Sequence, residues 1–221
     1  MEERQRHQGD TRIGRARFPR WPAAVALLLV GALYAVISDG LTFGPRIFVL
    51  GLVAVLLVPL MSAHIRGRHD LARWFGVGLV GLVTVAVVTS VFLLVSSLLS
   101  GATPAQALLQ DAALLWVINV VTFAVWYWEI DSGGPARRQE TYPGEDFVFP
   151  QMNLGGKAAR GWSPGFLDYL FLAFNTSTAF SPTDTAFLSQ RAKTLMMVQA
   201  LLSLVIVAVL AARAINALAT G

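Results

Sequence analysis

Hydrophobic residues are gathered in long blocks along this chain, with short polar segments between them. A window of about 19 residues finds five blocks long enough to cross a hydrocarbon core of about 30 Å as helices. The pattern therefore predicts an all-α integral membrane bundle with five transmembrane helices. The five blocks run from Trp21 to Ser38, Ile47 to Ala63, Trp74 to Leu99, Ala107 to Trp128 and Leu195 to Leu218.

A sixth hydrophobic block is too short to cross a membrane. Its apolar run from Phe166 to Phe174 is interrupted by Asp168 and followed by the polar residues NTST, so it offers about half the length of a span. A half-length helix that ends in polar residues and a proline turn is typical of a re-entrant half-helix. Ser163 is the expected amino-terminal cap of this helix, with Pro164 in its first turn, and Ser189 is expected to cap the last span.

The composition agrees with a membrane protein. Of 221 residues, 55% are hydrophobic and 14% are charged, and the mean hydropathy is +0.60. This leaves too little polar surface for a soluble globule. The chain has no cysteine, and its three histidines lie in an arginine-rich tail and loop rather than at ligand spacing, so the sequence predicts no disulfide, no metal site and no cofactor.

No enzymatic motif is visible. The chain contains no HExxH, GxSxG or Walker pattern and no paired carboxylates. The serines near residue 180 have no histidine or lysine close in sequence within the membrane to activate them. The sequence therefore predicts a protein that is not an enzyme.

The carboxyl-terminal part of the chain carries a polar stretch, FNTSTAFSPTDTAFLSQRAK, between two apolar helices. The run from Tyr169 to Asn216 resembles the pore module of tetrameric potassium-type channels, in which a pore helix and a filter precede an inner helix. It is also similar to a loosely defined group of bacterial membrane proteins of unassigned function that share a pore-like carboxyl-terminal half. The family filter T-T-V-G-Y-G-D is matched at its first threonine and its aspartate, but not at its glycines or tyrosine, since this chain reads Thr178, Ala179, Phe180, Ser181, Pro182, Thr183, Asp184.

The resemblance implies an ion pathway with a degenerate filter. Hydroxyls and carbonyls around Thr178, Ser181 and Thr183 would replace part of an ion's hydration shell, and Asp184 would place negative charge at the mouth. The missing glycines imply poor selectivity among monovalent cations, because Pro182 and Thr183 reach the required backbone conformations only at a cost. The resemblance also implies a homo-oligomer, a tetramer in the case of a channel.

With this resemblance, the chain divides into three regions. The third is the pore-like module, which begins at residue 107. The regions are a basic cytoplasmic tail, 1–20; an amino-terminal three-helix membrane region, 21–106; and the pore-like module, 107–221, which holds a helix, a long loop 129–163, a re-entrant helix 164–180, an elbow 181–190 and a last helix 191–218.

Two other functions remain open. Hydroxyls in membrane helices usually bond to their own backbone or to a neighbouring helix, so the elbow also suits a membrane scaffold or lipid-binding protein without transport. Broken half-helices also build the sites of small secondary transporters, although no inverted second half is visible. Asn119 and Gln199, which lie inside spans, are expected to bond across helices in any of these cases.

The basic residues predict the orientation. They precede the first span, separate the second from the third and occupy the long loop, all on one side, which the positive-inside rule assigns to the cytoplasm of a bacterial inner membrane. The amino terminus would be cytoplasmic, and the re-entrant segment would enter from the cytoplasm, opposite to potassium channels. If the sixth block did cross the membrane, the chain would have six spans, and Arg191 and Lys193 would lie outside. Because no soluble basic domain exists, the expected partner is the lipid bilayer and not nucleic acid. The basic residues concerned are Arg4, Arg6, Arg12, Arg15, Arg17, Arg20, Arg66, Arg68, Arg73, Arg137, Arg138, Lys157 and Arg160.

Overall fold

The structure is a computed structural model. It describes residues 20–42, 45, 47–101, 103–134, 146–153, 162–178 and 184–219. Helices dominate these ranges, together with one pair of two-residue strands. The helices are α1 (Trp21–Tyr34), α2 (Ile47–Ile65), α3 (His69–Ser100), α4 (Ala105–Ile130), α5 (Pro150–Asn153), α6 (Phe166–Thr178) and α7 (Gln190–Ala219); the strands are β1 (Phe147–Val148) and β2 (Ala186–Phe187).

Four helices are long and apolar enough to cross a membrane, namely α2, α3, α4 and α7. This confirms the predicted helical membrane bundle. The first predicted span is shorter than expected, because α1 has 14 residues, or about 21 Å of helix. The chain then turns into a 3₁₀ segment, Asp39–Leu41. Beyond the end of α1, the backbone N–H of Ser38 donates to the Asp111 carboxylate at 3.1 Å.

The central helix of the bundle is α4. It packs against α1, α3, α6 and α7, and 67% of its apolar window is buried, compared with 22% for α7. The outer faces of α2, α3 and α7 expose large apolar side chains such as Val58, Phe92 and Leu204. Such faces suit contact with lipid, which is as apolar as they are.

Polar contacts identify the two ends of the bundle. At one end, Arg20 before α1 pairs with Glu129 near the end of α4, and a Cβ added at Gly76 of α3 would touch the same carboxylate. The α2–α3 turn with Arg66 and Arg68 lies at this end, which we call the basic end. The far end holds Ser38 beside Asp111.

Both α6 and α7 begin at the basic end. Tyr169 in the first turn of α6 donates to Asp131, which directly follows α4, at 2.5 Å. Ser189, which precedes α7, donates to Asp146, and the N–H of Asp146 donates to Asp131 at 3.3 Å. Strand β1 pairs with β2 antiparallel, with Phe147 opposite Phe187, so part of the predicted loop 129–163 packs on the elbow.

The predicted caps have different outcomes. Ser189 caps α7, because its hydroxyl accepts the N–H of Ala192 at 3.2 Å, and this prediction is confirmed. The prediction for α6 was wrong, since the helix begins at Phe166, after Ser163 and Pro164. The carboxylate of Asp168 instead accepts the N–H of Gly165 at 2.7 Å. An acidic group in the first turn of a helix also suits the helix dipole.

Candidate functional site

A layer of uncharged polar side chains lies between α4, α6 and α7, and its central member is Gln199. Gln199 is fully buried. Its amide oxygen accepts the hydroxyl of Tyr127 at 2.6 Å, and its amide nitrogen donates to the Ala173 carbonyl and the Ser177 hydroxyl, both at 2.7 Å. One side chain of α7 therefore holds both neighbouring helices.

The layer continues one turn further along α7. The side-chain amide of Asn119 in α4 donates to the Ser203 hydroxyl at 2.8 Å and to the backbone carbonyl of Gln199 at 3.4 Å. This confirms that Asn119 and Gln199 bond across helices. The side-chain amide oxygen of Asn119 is buried and accepts no hydrogen bond from any described residue. We call Asn119, Tyr127, Ser177, Gln199 and Ser203 the central polar layer.

The carboxyl end of α6 meets this layer. Gln199 lies in the third turn of α7, about 13 Å along the helix from its start, so α6 ends well inside the bundle. The last carbonyls of a helix have no partner within it and carry partial negative charge. Two hydroxyls bond back to their own helix here: Thr176 donates to Leu172 O at 2.9 Å and Thr178 to Asn175 O at 3.1 Å.

The four residues predicted for an ion pathway fall into three groups. Thr178 is half-buried at the end of α6. Asp184 is exposed, and it takes part in none of the hydrogen bonds or ion pairs formed by described residues. Ser181 and Thr183 lie outside the described ranges. The structure therefore locates Thr178 inside the bundle and Asp184 on the surface. In the sequence, the segment 179–183 separates the two residues.

Two buried carboxylates anchor the elbow at the basic end. Arg191 donates to Asp146 through two nitrogens, each at 2.6 Å, and Ser189 donates to the same carboxylate. Asp131 accepts the hydroxyl of Tyr169. We call these five residues the carboxylate clamp. It fixes the starts of α6 and α7 to the end of α4.

Aromatic rings enclose the clamp. Phe147 lies 5.2 Å from Tyr127, 6.1 Å from Tyr169 and 5.3 Å from Phe187, measured between ring centroids. Phe149 lies 5.4 Å from Tyr169. All four contacts are edge-on, which is a favourable arrangement for aromatic rings. Asp131 and Asp146 are themselves buried, and shielding from water strengthens the hydrogen bonds that these groups accept.

A buried ion pair joins the residue before α1 to α4. Arg20 donates to Glu129 at 3.0 Å, and their side chains are only 4% and 3% exposed. A Cβ added at Gly76 would lie 3.1 Å from the Glu129 carboxylate, so the glycine makes room for it. Sequence reasoning did not identify either this pair or the clamp, because the partners lie far apart in the chain. The nearest signal was a run of acids beside aromatics, EDFVF, in a loop expected to be solvated.

The site contains no candidate metal centre within the described ranges, where no three His, Asp or Glu side chains lie close enough to hold an ion. None of the family models, curated proteins or solved structures compared with the chain matches it. Fold and composition nonetheless define the class. The chain is a multi-pass helical membrane protein with a neutral polar layer inside and paired charges at one end.

Proposed function

We propose that the chain crosses a bacterial inner membrane five times, with α6 as a re-entrant half-helix and the amino terminus in the cytoplasm. The contacts of α1 support the fifth span. Arg20 meets Glu129, and Ser38 meets Asp111, which lie about five turns, or about 27 Å, apart on α4. Residues 20–38 therefore extend over nearly the depth of a hydrocarbon core.

The re-entrant course is supported by the clamp. Tyr169 and Ser189, on either side of the elbow, both bond to carboxylates at the basic end. This favours the re-entrant segment over the six-span alternative, in which those residues would lie at opposite ends. It also puts Arg191 on the same side as Arg66 and Arg68, so the basic residues agree with a cytoplasmic assignment of this end.

For the function, we propose a poorly selective channel for monovalent cations. The observation that carries this proposal is the position of the α6 carboxyl end, which lies against Gln199 well inside the bundle. The negative end of the helix dipole attracts cations. The surrounding layer is neutral, so nothing in it repels a cation.

A single re-entrant segment cannot enclose an axis, so the proposed channel is a homo-oligomer, a tetramer by resemblance. Large apolar side chains on α6 and α7 are exposed in the single chain, for example Leu167, Phe171 and Leu201. Neighbouring copies would cover part of these faces. In such an assembly, the exposed Asp184 of each copy would contribute to a ring of negative charge at the mouth.

A scaffold without transport is the second candidate, and one observation favours it. The hydroxyls of Thr176, Ser177 and Thr178 already have partners within one chain. This is how hydroxyls act when they only join membrane helices. In that case the elbow would be a structural turn held by the clamp.

Ion flux through purified protein in liposomes distinguishes the two. We expect wild-type protein to pass sodium and potassium at similar rates, and Asp184→Asn to lower the flux several-fold at low salt and less at high salt, because salt screens a surface charge. Asp70→Asn is the matched control, since Asp70 is also exposed at the basic end but lies on α3.

Two outcomes would contradict the channel, and a third would contradict the role of Asp184 in it. Absence of flux from folded, inserted protein at any applied potential would favour the scaffold. Saturable uptake of a solute coupled to a proton or sodium gradient would favour a small secondary transporter. An equal effect of Asp70→Asn and Asp184→Asn would show that the elbow carboxylate has no special place in the path.

A further inference from the structure

The turn between α2 and α3 is a rigid, doubly basic structure. The N–H of Gly67 donates to His64 O at 3.1 Å, and the N–H of Arg68 donates to Ala63 O at 2.9 Å. Gly67 has φ of +70°, a conformation that glycine adopts without strain. This pair of bonds with a left-handed glycine is the Schellman ending of a helix, and it fixes the backbone between Arg66 and Arg68.

The two arginines of this turn have no partner among the residues that the structure describes. Arg66 and Arg68 are both exposed, and neither side chain takes part in a hydrogen bond or ion pair with any described residue. Arg20 and Arg191 at the same end are each paired with a buried carboxylate. The turn therefore offers two unpaired guanidinium groups on a fixed backbone.

Apolar side chains on both sides place this turn at the membrane surface. Ile65, the last residue of α2, is 79% exposed, and Trp74 in the second turn of α3 is 75% exposed. An exposed tryptophan at the end of a span is typical of the boundary between hydrocarbon and headgroups. The arginines between these residues are therefore level with lipid headgroups.

We propose that the Arg66–Arg68 turn binds the headgroup of an anionic phospholipid. The planar guanidinium group donates two parallel hydrogen bonds to a phosphate, which gives arginine an advantage over lysine at such sites. The rigid backbone reduces the conformational entropy that binding would otherwise lose. Asp70 is the one acidic neighbour on the first turn of α3, so the turn keeps a net positive charge and favours an anionic lipid over a zwitterionic one.

The test measures lipid binding directly and does not depend on whether the protein conducts ions. Wild-type protein in neutral detergent is titrated with phosphatidylglycerol or phosphatidylcholine, and bound lipid is counted by native mass spectrometry. We expect preferential binding of phosphatidylglycerol, and an affinity about tenfold lower in the double variant R66Q/R68Q. Lys193→Gln is the matched control, because Lys193 is an exposed cation at the same end on α7.

Each outcome decides the proposal. Selective loss of phosphatidylglycerol in R66Q/R68Q, with Lys193→Gln unchanged, supports it. Equal binding of the two lipids by wild-type protein overturns it. Equal loss in both variants also overturns it, because binding would then follow the total charge of the basic end rather than this turn. Full retention by R66Q/R68Q assigns the lipid to another surface.

Discussion

The central polar layer and the carboxylate clamp both join α4, α6 and α7, but they use different chemistry. Inside the bundle the contacts are made by amides and hydroxyls, with Gln199 at their centre. At the basic end they are made by Asp131 and Asp146 with an arginine and two hydroxyls. Depth explains the difference, because an ionised group costs far more than an amide at the centre of a membrane.

The two sites also differ in what happens when one partner is lost. An amide or hydroxyl without its partner leaves an unsatisfied but neutral group, which can find another hydrogen bond inside the membrane. A buried carboxylate without its arginine leaves an uncompensated charge. The clamp should therefore be the more sensitive of the two, and this expectation can be tested one residue at a time.

The largest effect is expected for Arg191→Gln. The Asp146 side chain is only 1% exposed, and the backbone N–H of Asp146 donates to the buried carboxylate of Asp131 at 3.3 Å. Removing the guanidinium group should lower the free energy of unfolding by about 3 kcal/mol, measured by denaturation in mixed detergent micelles. Lys193→Gln, two residues away on the same helix, should change it little, because Lys193 forms no ion pair with any described residue.

A double variant checks the cause. Asp146→Asn with Arg191→Gln removes both charges and keeps a polar group at position 146. It should recover a large part of the lost stability, because the penalty comes from the unpaired carboxylate rather than from the missing arginine. A double variant as unstable as Arg191→Gln alone would mean that the clamp acts through packing and not through charge.

A smaller effect is expected for Gln199→Leu in the central layer. The substitution removes three side-chain hydrogen bonds to α4 and α6, and bonds of this kind contribute about 0.6 kcal/mol each in membrane bundles, or about 2 kcal/mol together. Ser203→Ala removes a single bond to Asn119 and serves as the reference in the same denaturation experiment. If the two variants lose equal stability, Gln199 is not the centre of the layer.

The apolar blocks predicted the helical elements well, because crossing a membrane requires a length that the sequence shows directly. The last helix was predicted as 191–218 and is Gln190–Ala219. The short sixth block was predicted as 164–180, and the structure describes a helix over Phe166–Thr178. The first span was overestimated as a helix, because α1 ends at Tyr34 and the chain continues in turns, with the N–H of Ile37 bonded to Tyr34 O, to a contact between Ser38 and Asp111 that joins distant parts of the chain.

The polar contacts were predicted only in part. Asn119 and Gln199 were recognised because a polar residue in an apolar run must find a partner, and both do. The clamp was not recognised, because the bond between Asp146 and Arg191 depends on how a long loop folds back.

The smallest effect on stability is expected at the ion pair of Arg20 and Glu129, which also lies at the basic end. A Cβ at Gly76 would lie 3.1 Å from the Glu129 carboxylate, whereas one at Gly78 would meet nothing within 4 Å. Gly76→Ala must shift the carboxylate by a few tenths of an ångström from its position beside Gly76, and we expect it to lower the free energy of unfolding by about 1 kcal/mol because the shift disturbs the bond to Arg20. Gly78→Ala, two residues along α3, should be neutral or stabilising by up to about 1 kcal/mol, because alanine loses less conformational freedom in a helix than glycine.

The comparison therefore separates the effect of the added methyl group on helix propensity from its effect on the ion pair. Equal stability of the two variants in mixed micelles would show that Glu129 moves without loss and that this buried pair, unlike the clamp, tolerates displacement.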